Sequence, residues 1–354
     1  MSETGKIQNA CLLASDIRAF RFSNLFRASS FVLRIFCALL FLSGSLHAQE
    51  IFQGADTVPP EVERIYLKGV KFLVTAQNSE GTWPNQYGGE PAVVGFCILS
   101  ILAHGEDPNY GPYAKTIRRG LDFILKNQRK DNGYIGTSMY NHGFATLALA
   151  ECYGTVHDPR LGPALQKAVD LILTSQANNP LGGWRYSPEA NDADTTVSGA
   201  QTVALLAARN AGIGVSEEAL GKAIRFFLES QSPNGGIGYT GADSPNAART
   251  AIGALVLSLA KKQKTGAFNA AFAFLKQTPE SGDMYFHYYL YYAAQAFFRV
   301  PAAWEPWNRA NIQTLAESQQ GDGSWDGSFG PTFSTAASLL SLALNYRFLP
   351  IYER

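Results

Sequence analysis

The chain has 354 residues, enough for two average domains or one large one, and 46% of them are hydrophobic while 16% are charged. Lysine plus arginine equals aspartate plus glutamate, at 29 each. No basic stripe with interleaved aromatic residues occurs, so the composition gives no indication of nucleic acid as a partner. We expect a globular protein.

The first 48 residues have the pattern of a signal peptide. Arg27 and Arg34 precede an apolar run over 35–42, and small residues follow up to Ala48. The apolar run is shorter than the roughly 20 residues that a membrane span needs. We therefore expect export to the periplasm, the envelope or the medium, with cleavage after Ala48; an uncleaved anchor is the alternative. Residues 49–60 form a linker to a folded part over 61–354.

A glutamine recurs six times at the end of an amphipathic segment, at intervals of 42 to 55 residues. A loop with glycine, and usually an aromatic residue, follows each one. The sharpest forms are "QNSEGTW" over 77–83 and "QQGDGSW" over 319–325. Self-similarity at such a period indicates a repeat architecture. The six glutamines are Gln77, Gln128, Gln176, Gln231, Gln277 and Gln319.

Each repeat predicts two helices of different character. Apolar residues at helical spacing predict an amphipathic helix before each glutamine, over 61–77, 113–128, 162–176, 216–231, 268–277 and 305–319. A helix richer in small and apolar residues follows each loop, over 91–104, 140–153, 195–211, 246–261, 286–299 and 332–347. Helices that are apolar on all sides are buried on all sides.

Twelve helices in six pairs fit an open solenoid or a closed double ring. Open solenoids need polar capping repeats at their ends. Here the first and last repeats carry the sharpest forms of the motif, which favours closure. The sequence therefore predicts an all-α (α/α)6 toroid with the amphipathic helices outside.

The glutamine–tryptophan loops resemble the QW repeat of squalene and oxidosqualene cyclases, and more widely the repeats of terpene cyclases and protein prenyltransferases. The resemblance covers about residues 61–350. It implies a central cavity, lined by the N-terminal ends of the inner helices, for an isoprenoid-like hydrophobic ligand. It also implies that the glutamine and the tryptophan tie neighbouring outer helices together.

A structural role for these loop residues is physically reasonable. A glutamine at a helix C-terminus can donate to unpaired carbonyls, and its amide can stack on an indole. We therefore assign Gln77, Trp83, Gln319 and Trp325 to structure and not to catalysis.

The segment "DADTT" over 192–196 resembles the DxDD-T motif of squalene–hopene cyclases, whose middle aspartate protonates an alkene. Asp192, Asp194 and Thr196 match that motif, whereas Thr195 replaces its third aspartate. Clustered carboxylates keep one member protonated, and the resemblance implies Asp194, together with Asp192, as the catalytic pair. In the alternative, Asp194 only caps the helix that begins at Thr195, and Asp192 adds a favourable charge near the helix N-terminus.

The starts of the inner helices bring polar and aromatic side chains together, as ligand sites do. The histidines among them can act as an acid or base, or can be satisfied buried groups. The arginine can pair with Asp243 or Asp194, or bind an anion. The predicted ligand-binding residues are Tyr140, Asn141, His142, Thr195, Arg249, Tyr285, His287 and Tyr288.

The sequence predicts neither a metal nor a cofactor. No cysteine follows Cys152, which excludes the zinc site of protein prenyltransferases, built from an aspartate, a cysteine and a later histidine. Cys97 and Cys152 lie inside apolar helical patterns, and we expect buried free thiols.

Two functions remain open. One is an exported terpene cyclase-like enzyme, an intramolecular transferase or isomerase, acting on an isoprenoid-like hydrophobic ligand with Asp194 as the general acid. The other is a non-catalytic envelope scaffold or binding module, with an envelope protein as partner. A glycan-active enzyme is less well supported, because it needs a carboxylate pair across the cavity and this chain supplies only Asp192 and Asp194, close together.

Overall fold

The computed structural model describes residues 58–84, 86–278 and 284–352. The predicted leader over 1–48 and most of the predicted linker lie outside these residues. The last linker residue, Pro60, begins the first helix. None of the described helices has the length and apolar character that would let it cross a membrane.

The described residues form twelve α-helices in six outer–inner pairs, which confirms the predicted (α/α)6 toroid. The outer helices are α1 (Pro60–Ala76), α3 (Ala114–Asn127), α5 (Leu161–Ala177), α7 (Glu217–Glu229), α9 (Gly266–Gln277) and α11 (Pro301–Ser318). The inner helices are α2 (Pro91–Leu102), α4 (Met139–Cys152), α6 (Thr195–Asn210), α8 (Ala247–Leu259), α10 (Phe286–Phe298) and α12 (Gly330–Leu342).

The two sets of helices differ in burial as their sequences predict. Outer helix α3 buries the stripe that includes Ile117, Leu121 and Ile124 and leaves its other face to solvent. Inner helix α6 buries every residue from 197 to 208. Each inner helix packs on the next one, and α12 packs on α2. The ring is therefore closed.

The repeated glutamines connect successive outer helices. Gln77 donates from Nε2 to the carbonyl of Gly81 in its own loop, at 3.2 Å, and to that of Thr116 in α3, at 3.1 Å. Gln319 makes the corresponding bonds to Gly323, at 3.0 Å, and to Ile65 in α1, at 2.8 Å. Gln128, Gln176 and Gln231 repeat the pattern toward α5, α7 and α9.

These bonds agree with the structural role assigned to the loop residues from the sequence. The glutamine amide donates to carbonyls of two polypeptide segments, and the tryptophan donates to a carbonyl near the end of the outer helix that precedes its loop. Trp83 Nε1 donates to Leu73, four residues before Gln77, at 2.8 Å. Trp184 and Trp325 repeat this bond.

The loop glycines have a positive φ and lie against the next outer helix. At Gly323, φ is 94°, and a Cβ atom there would lie 2.3 Å from the carbonyl oxygen of Lys68. Only glycine combines that backbone conformation with so close an approach. At the five repeats where both are described, the glutamine bridge and the glycine contact together hold one outer helix against the next.

Two helix boundaries differ from the sequence prediction. Helix α11 begins at Pro301 and not at 305, because a proline at the first helical position loses no hydrogen bond that the helix would make. Helix α12 ends at Leu342, and the chain continues through 3-10 turns at Ala343–Asn345 and Pro350–Tyr352.

This C-terminal tail packs at the C-terminal ends of the inner helices. Leu349, Ile351 and Tyr352 are at most 4% exposed. The backbone N–H of Ile351 donates to the carboxylate of Glu151 in α4 at 3.2 Å, and Arg299, at the end of α10, donates to the carbonyl of Ile351. The tail thereby covers this end of the ring.

The bridge that closes the ring gives a prediction for stability. We expect Gln319→Leu to lower the free energy of unfolding by about 1–3 kcal/mol, because it removes the hydrogen bond to Ile65 in the first helix and the hydrogen bond to Gly323 in its own loop. Urea denaturation measures the change. The control is Gln320→Leu at the adjacent exposed position, with an expected change within about 0.5 kcal/mol. Equal losses in the two variants would show that the bridge adds nothing specific.

Candidate functional site

A cavity of about 720 Å³ lies at the N-terminal ends of the inner helices. This is the position and size expected of a small-molecule site. Its wall is formed by Tyr87, Glu90, Ala92, Val93, Phe96, Thr137, Ser138, Tyr140, Asn141, Phe144, Tyr186, Thr196, Tyr239, Asn246, Ala248, Arg249, Tyr285, Tyr288, Phe329 and Phe333.

Much of this wall consists of aromatic rings that contact one another. Phe96 lies with its ring centroid 4.7 Å from that of Phe144 and 5.4 Å from that of Phe333. Phe329 lies 6.0 Å from Tyr285 and 5.4 Å from Phe333. These rings come from helices α2, α4 and α12 and from the residues directly before α10 and α12, so the ring closure described above creates this apolar surface.

Asp194 caps helix α6, as the structural alternative predicted. Its Oδ1 accepts the backbone N–H groups of Thr196 and Val197, at 2.9 and 2.8 Å. The side chain is 0% exposed. An aspartate in this position satisfies amide groups that the first turn of the helix would otherwise leave unpaired.

The other carboxylate oxygen of Asp194 faces an arginine that the sequence reasoning did not identify. Arg185 approaches Oδ2 of Asp194 with Nη1 at 3.3 Å, and its Nε lies 3.4 Å from Asp192. Asp192 is 60% exposed and lies outside the cavity wall. The two aspartates therefore share one guanidinium.

The Thr196 hydroxyl connects Asp194 to the cavity. It donates to Oδ1 of Asp194 at 2.6 Å, and the Tyr140 hydroxyl donates to it in turn. Both Thr196 and Tyr140 line the cavity. Burial raises the pKa of the Asp194 carboxyl above its ordinary value, and the bonds from Thr196 and Val197 and the Arg185 charge offset part of this increase.

Two arginines and two tyrosines form a cation–π cluster beside this connection. The Arg185 guanidinium lies 4.9 Å from the ring centroid of Tyr186 and 5.1 Å from that of Tyr239. Arg249 lies 5.7 Å from the same Tyr239 ring and donates to the carbonyl of Ser244. The carboxylate of Asp194 thus faces Arg185, not Arg249. In the sequence, Arg185, Tyr186 and Tyr239 could have been found from their position just after the loop glycines, in "GGWRY" and "GGIGY".

Of the eight predicted ligand-binding residues, five line the cavity and three do not. The five are Tyr140, Asn141, Arg249, Tyr285 and Tyr288. Thr195 is 0% exposed and donates to the carbonyl of Gly238 at 2.7 Å. His142 and His287 lie behind the wall.

His142 is engaged by backbone groups on both ring nitrogens. Nε2 donates to the carbonyl of Ala168 at 3.0 Å, and Nδ1 accepts the N–H of Ile135 at 3.1 Å. In other repeats a hydroxyl takes this second role, as Ser198 does for Trp184 and Thr335 for Trp325. His142 therefore occupies a position that has a structural role in other repeats too, where a residue with a hydroxyl group takes its place.

His287 is held in the same way. Its Nδ1 accepts from the hydroxyl of Ser338 at 2.9 Å, and its Nε2 donates to the carbonyl of Asp326 at 3.0 Å. Burial lowers the pKa of His287 below its ordinary value, so the neutral form is favoured.

The cavity wall also carries a carboxylate. Glu90, just before α2, accepts a hydrogen bond at 2.5 Å from the side-chain amide of Asn141, whose Oδ1 accepts the N–H of Ala92 at 3.1 Å. Among the described lining residues, Glu90 is the one carboxylate. Within the described ranges, no cluster of three or more histidine, cysteine, aspartate or glutamate side chains could hold a metal, and Cys97 and Cys152 are buried and free.

Comparison with known families agrees with this geometry. Residues 89–247 match the family model of the squalene-hopene cyclase C-terminal domain. Lanosterol synthase from Aspergillus fumigatus is 27% identical over 140 residues. That alignment covers 35% of this chain and 17% of that enzyme, so the chain matches only a small part of this relative.

Solved structures share the fold. The type II terpene cyclase MstE from Scytonema, in its apo form, has a TM-score of 0.57 at 17% identity, covering 82% of this chain and 99% of that one. The α-1,6-mannanase from Salegentibacter sp. HEL1_6 has a TM-score of 0.60 at 10% identity, covering 80% and 98%. At such identities the likeness shows the α–α toroid alone.

The glutamine–tryptophan repeats, the closed ring and the family match together define the class of the protein. The described residues form the α–α toroid that is also found in a type II terpene cyclase. Residues 89–247 are similar to the squalene-hopene cyclase C-terminal domain, the resemblance that the repeats indicated.

The environment of His142 predicts a pH dependence of stability. Burial lowers its folded-state pKa to about 4, below an unfolded value of about 6.5. The contribution of neutral His142 to the free energy of unfolding is therefore complete above pH 6.5. It is lost as the pH falls toward 4, which lowers the free energy of unfolding by up to about 3 kcal/mol.

Urea denaturation between pH 7 and 4 measures this loss. We expect His142→Gln to unfold more easily at pH 7 and to approach the wild type as the pH falls. The control is His157→Gln at an exposed position, with the wild-type pH dependence. A constant difference between His142→Gln and the wild type across the range would contradict the assignment.

Proposed function

We propose that this protein binds an isoprenoid-like hydrophobic molecule in its central cavity. The cavity itself carries the proposal. Ten of the twenty described residues that line it are aromatic, and burying a branched hydrocarbon against such a surface contributes about 25 cal/mol per Å². The exported location predicted from residues 1–48 remains a prediction.

The comparisons support this ligand class. A variant of MstE was solved with geranylgeranyl dihydroxybenzoate, described as its substrate, and its TM-score to this chain is 0.54. The mannanase shares the toroid, but glycoside hydrolysis requires a pair of carboxylates flanking the scissile bond. Glu90 alone supplies a carboxylate among the described lining residues, which disfavours a glycan substrate.

A second candidate function is acid-initiated cyclisation of the bound molecule. It is favoured by the raised pKa of Asp194 and by its hydrogen bond to Thr196 on the cavity wall. Since Asp194 is 0% exposed, the proton would pass through Thr196. With Asp194 protonated, the bond to Thr196 would reverse, so that the carboxyl donates to the threonine oxygen. The threonine would then give its hydroxyl proton to an alkene carbon as it takes the carboxyl proton, and the carbocation formed would later release a proton.

The alternative is a non-catalytic scaffold or binding module in the envelope. In that case Asp194 is only a helix cap, and the aromatic wall only packs the ring. The scaffold reading and the ligand-binding proposal differ in whether the cavity takes up a hydrophobic molecule.

Lipid analysis of the purified protein and titration with geranylgeraniol test the binding function. We expect an isoprenoid to co-purify, and we expect Ala92→Trp, which fills the cavity at its wall, to weaken geranylgeraniol binding at least about tenfold. Ala302→Trp, at the exposed second position of α11, is the matched control and should bind normally. Absence of both a co-purified lipid and geranylgeraniol binding would reject the ligand-binding function in favour of the scaffold.

Incubation with squalene, oxidosqualene and geranylgeraniol tests the acid. We expect Asp194→Asn, which keeps the helix cap, to reduce cyclised product about 100-fold or more while geranylgeraniol binding changes less than about threefold. Asp192→Asn, at an exposed position, should retain most of the activity. Undiminished product from Asp194→Asn, or no product from the wild type, would reject acid catalysis.

A further inference from the structure

One buried polar atom on the cavity wall is not accounted for by the fold. Tyr288, in the first turn of α10, lines the cavity. Its hydroxyl oxygen is buried, and no group among the described residues makes a hydrogen bond of acceptable geometry with it. A buried hydroxyl without a partner costs about 1–3 kcal/mol, so each such group in a folded protein requires an explanation.

The neighbouring tyrosine does not remove the problem. The ring of Tyr292, one turn further along α10, lies edge-on to that of Tyr288 with the centroids 5.1 Å apart. The Tyr292 hydroxyl is also buried without a hydrogen bond of acceptable geometry, and Tyr292 does not line the cavity. The two hydroxyls are close enough for each to affect the pKa of the other, but one bond between them would use only one of their two protons, and the other proton would still need an acceptor.

The nearby hydroxyls on the wall are committed elsewhere. The Tyr140 hydroxyl donates to Thr196, and the Thr196 hydroxyl donates to Asp194. This series of hydrogen bonds directs two protons toward the Asp194 carboxylate and leaves Tyr288 as a donor facing the cavity. The oxygen of Tyr140 can still accept a bond.

The charges around Tyr288 restrict what it can meet. Burial raises its pKa well above the ordinary value, and the neighbouring Tyr292, Tyr140 and Asp194 raise it further, so the hydroxyl keeps its proton. A charged group would have to lose its hydration against a wall that is half aromatic, which costs more free energy than burying an uncharged group, and an ammonium group has no lone pair to accept the Tyr288 proton. An uncharged oxygen satisfies both conditions.

We propose that Tyr288 donates a hydrogen bond to an uncharged oxygen of the bound molecule, so that the cavity selects an oxygen-bearing isoprenoid-like ligand over a pure hydrocarbon. The oxygen belongs to an alcohol, an ether or a carbonyl. This inference rests on the proposed ligand-binding function and specifies the polarity of the ligand at one point of the wall.

Calorimetric titration with three probes of equal chain length tests the inference. The probes are geranylgeraniol, its methyl ether and the corresponding tetraene without oxygen. We expect the wild type to bind the alcohol and the ether about tenfold more tightly than the tetraene, because each satisfies the buried donor. In Tyr288→Phe the preference should fall below about twofold, with affinity for the tetraene unchanged or improved.

The control removes a tyrosine hydroxyl away from the cavity. Tyr110 is 84% exposed and does not line the cavity, so Tyr110→Phe should keep the tenfold preference. Equal binding of all three probes by the wild type, or a uniform loss of affinity for all three in Tyr288→Phe, would overturn the inference and leave the ligand-binding function intact. Failure of every probe to bind the wild type would overturn both.

Discussion

The side-chain amide of a glutamine, shared between two polypeptide segments, is the interaction on which the ring depends. Gln77 joins the loop glycine Gly81 to Thr116 of the next outer helix. The same two bonds recur at four further repeats of the described residues. The last of them reaches Ile65 in the first helix, so one local rule, found at five of the six repeats among the described residues, helps to close the ring. Helix pairs without this link would have only apolar packing, which is not directional, to fix their angle.

Closure of the ring determines what the inner helices can do. Their N-terminal ends converge, and each end needs partners for its unpaired amide groups. Ser138, Asp194 and Asn246 supply these partners for three of the inner helices. The cavity rim is therefore polar for structural reasons, before any ligand is considered. Asp194 illustrates the result, because its capping bonds and its link through Thr196 to the cavity use the same carboxylate oxygen.

The architecture could be predicted from the sequence because the glutamine and its glycine loop recur at a regular interval along the chain. Six glutamines in phase, each followed by a glycine loop, specify six helix pairs. The site could be predicted only in part, because the period gives the position of a residue along a helix but not its direction around the ring. Tyr140 and Tyr288 point into the cavity, whereas His142 was identified by the same reasoning and occupies a structural position of the repeat. Arg185 was missed because its role follows from distances to two aspartates, which spacing in the sequence does not reveal.

The position of the C-terminal tail has a consequence for how a ligand would enter and leave the ring. Ile351 and Tyr352 are buried, and the N–H of Ile351 bonds the carboxylate of Glu151 near the C-terminal end of α4, so the tail lies at the end of the ring away from the cavity. If the tail closes that end, a chain-shaped molecule bound as proposed would leave by the opening through which it entered, and the next molecule would enter only after it had left. The part of the molecule left nearest the opening is also the part that a partner or a membrane surface would meet.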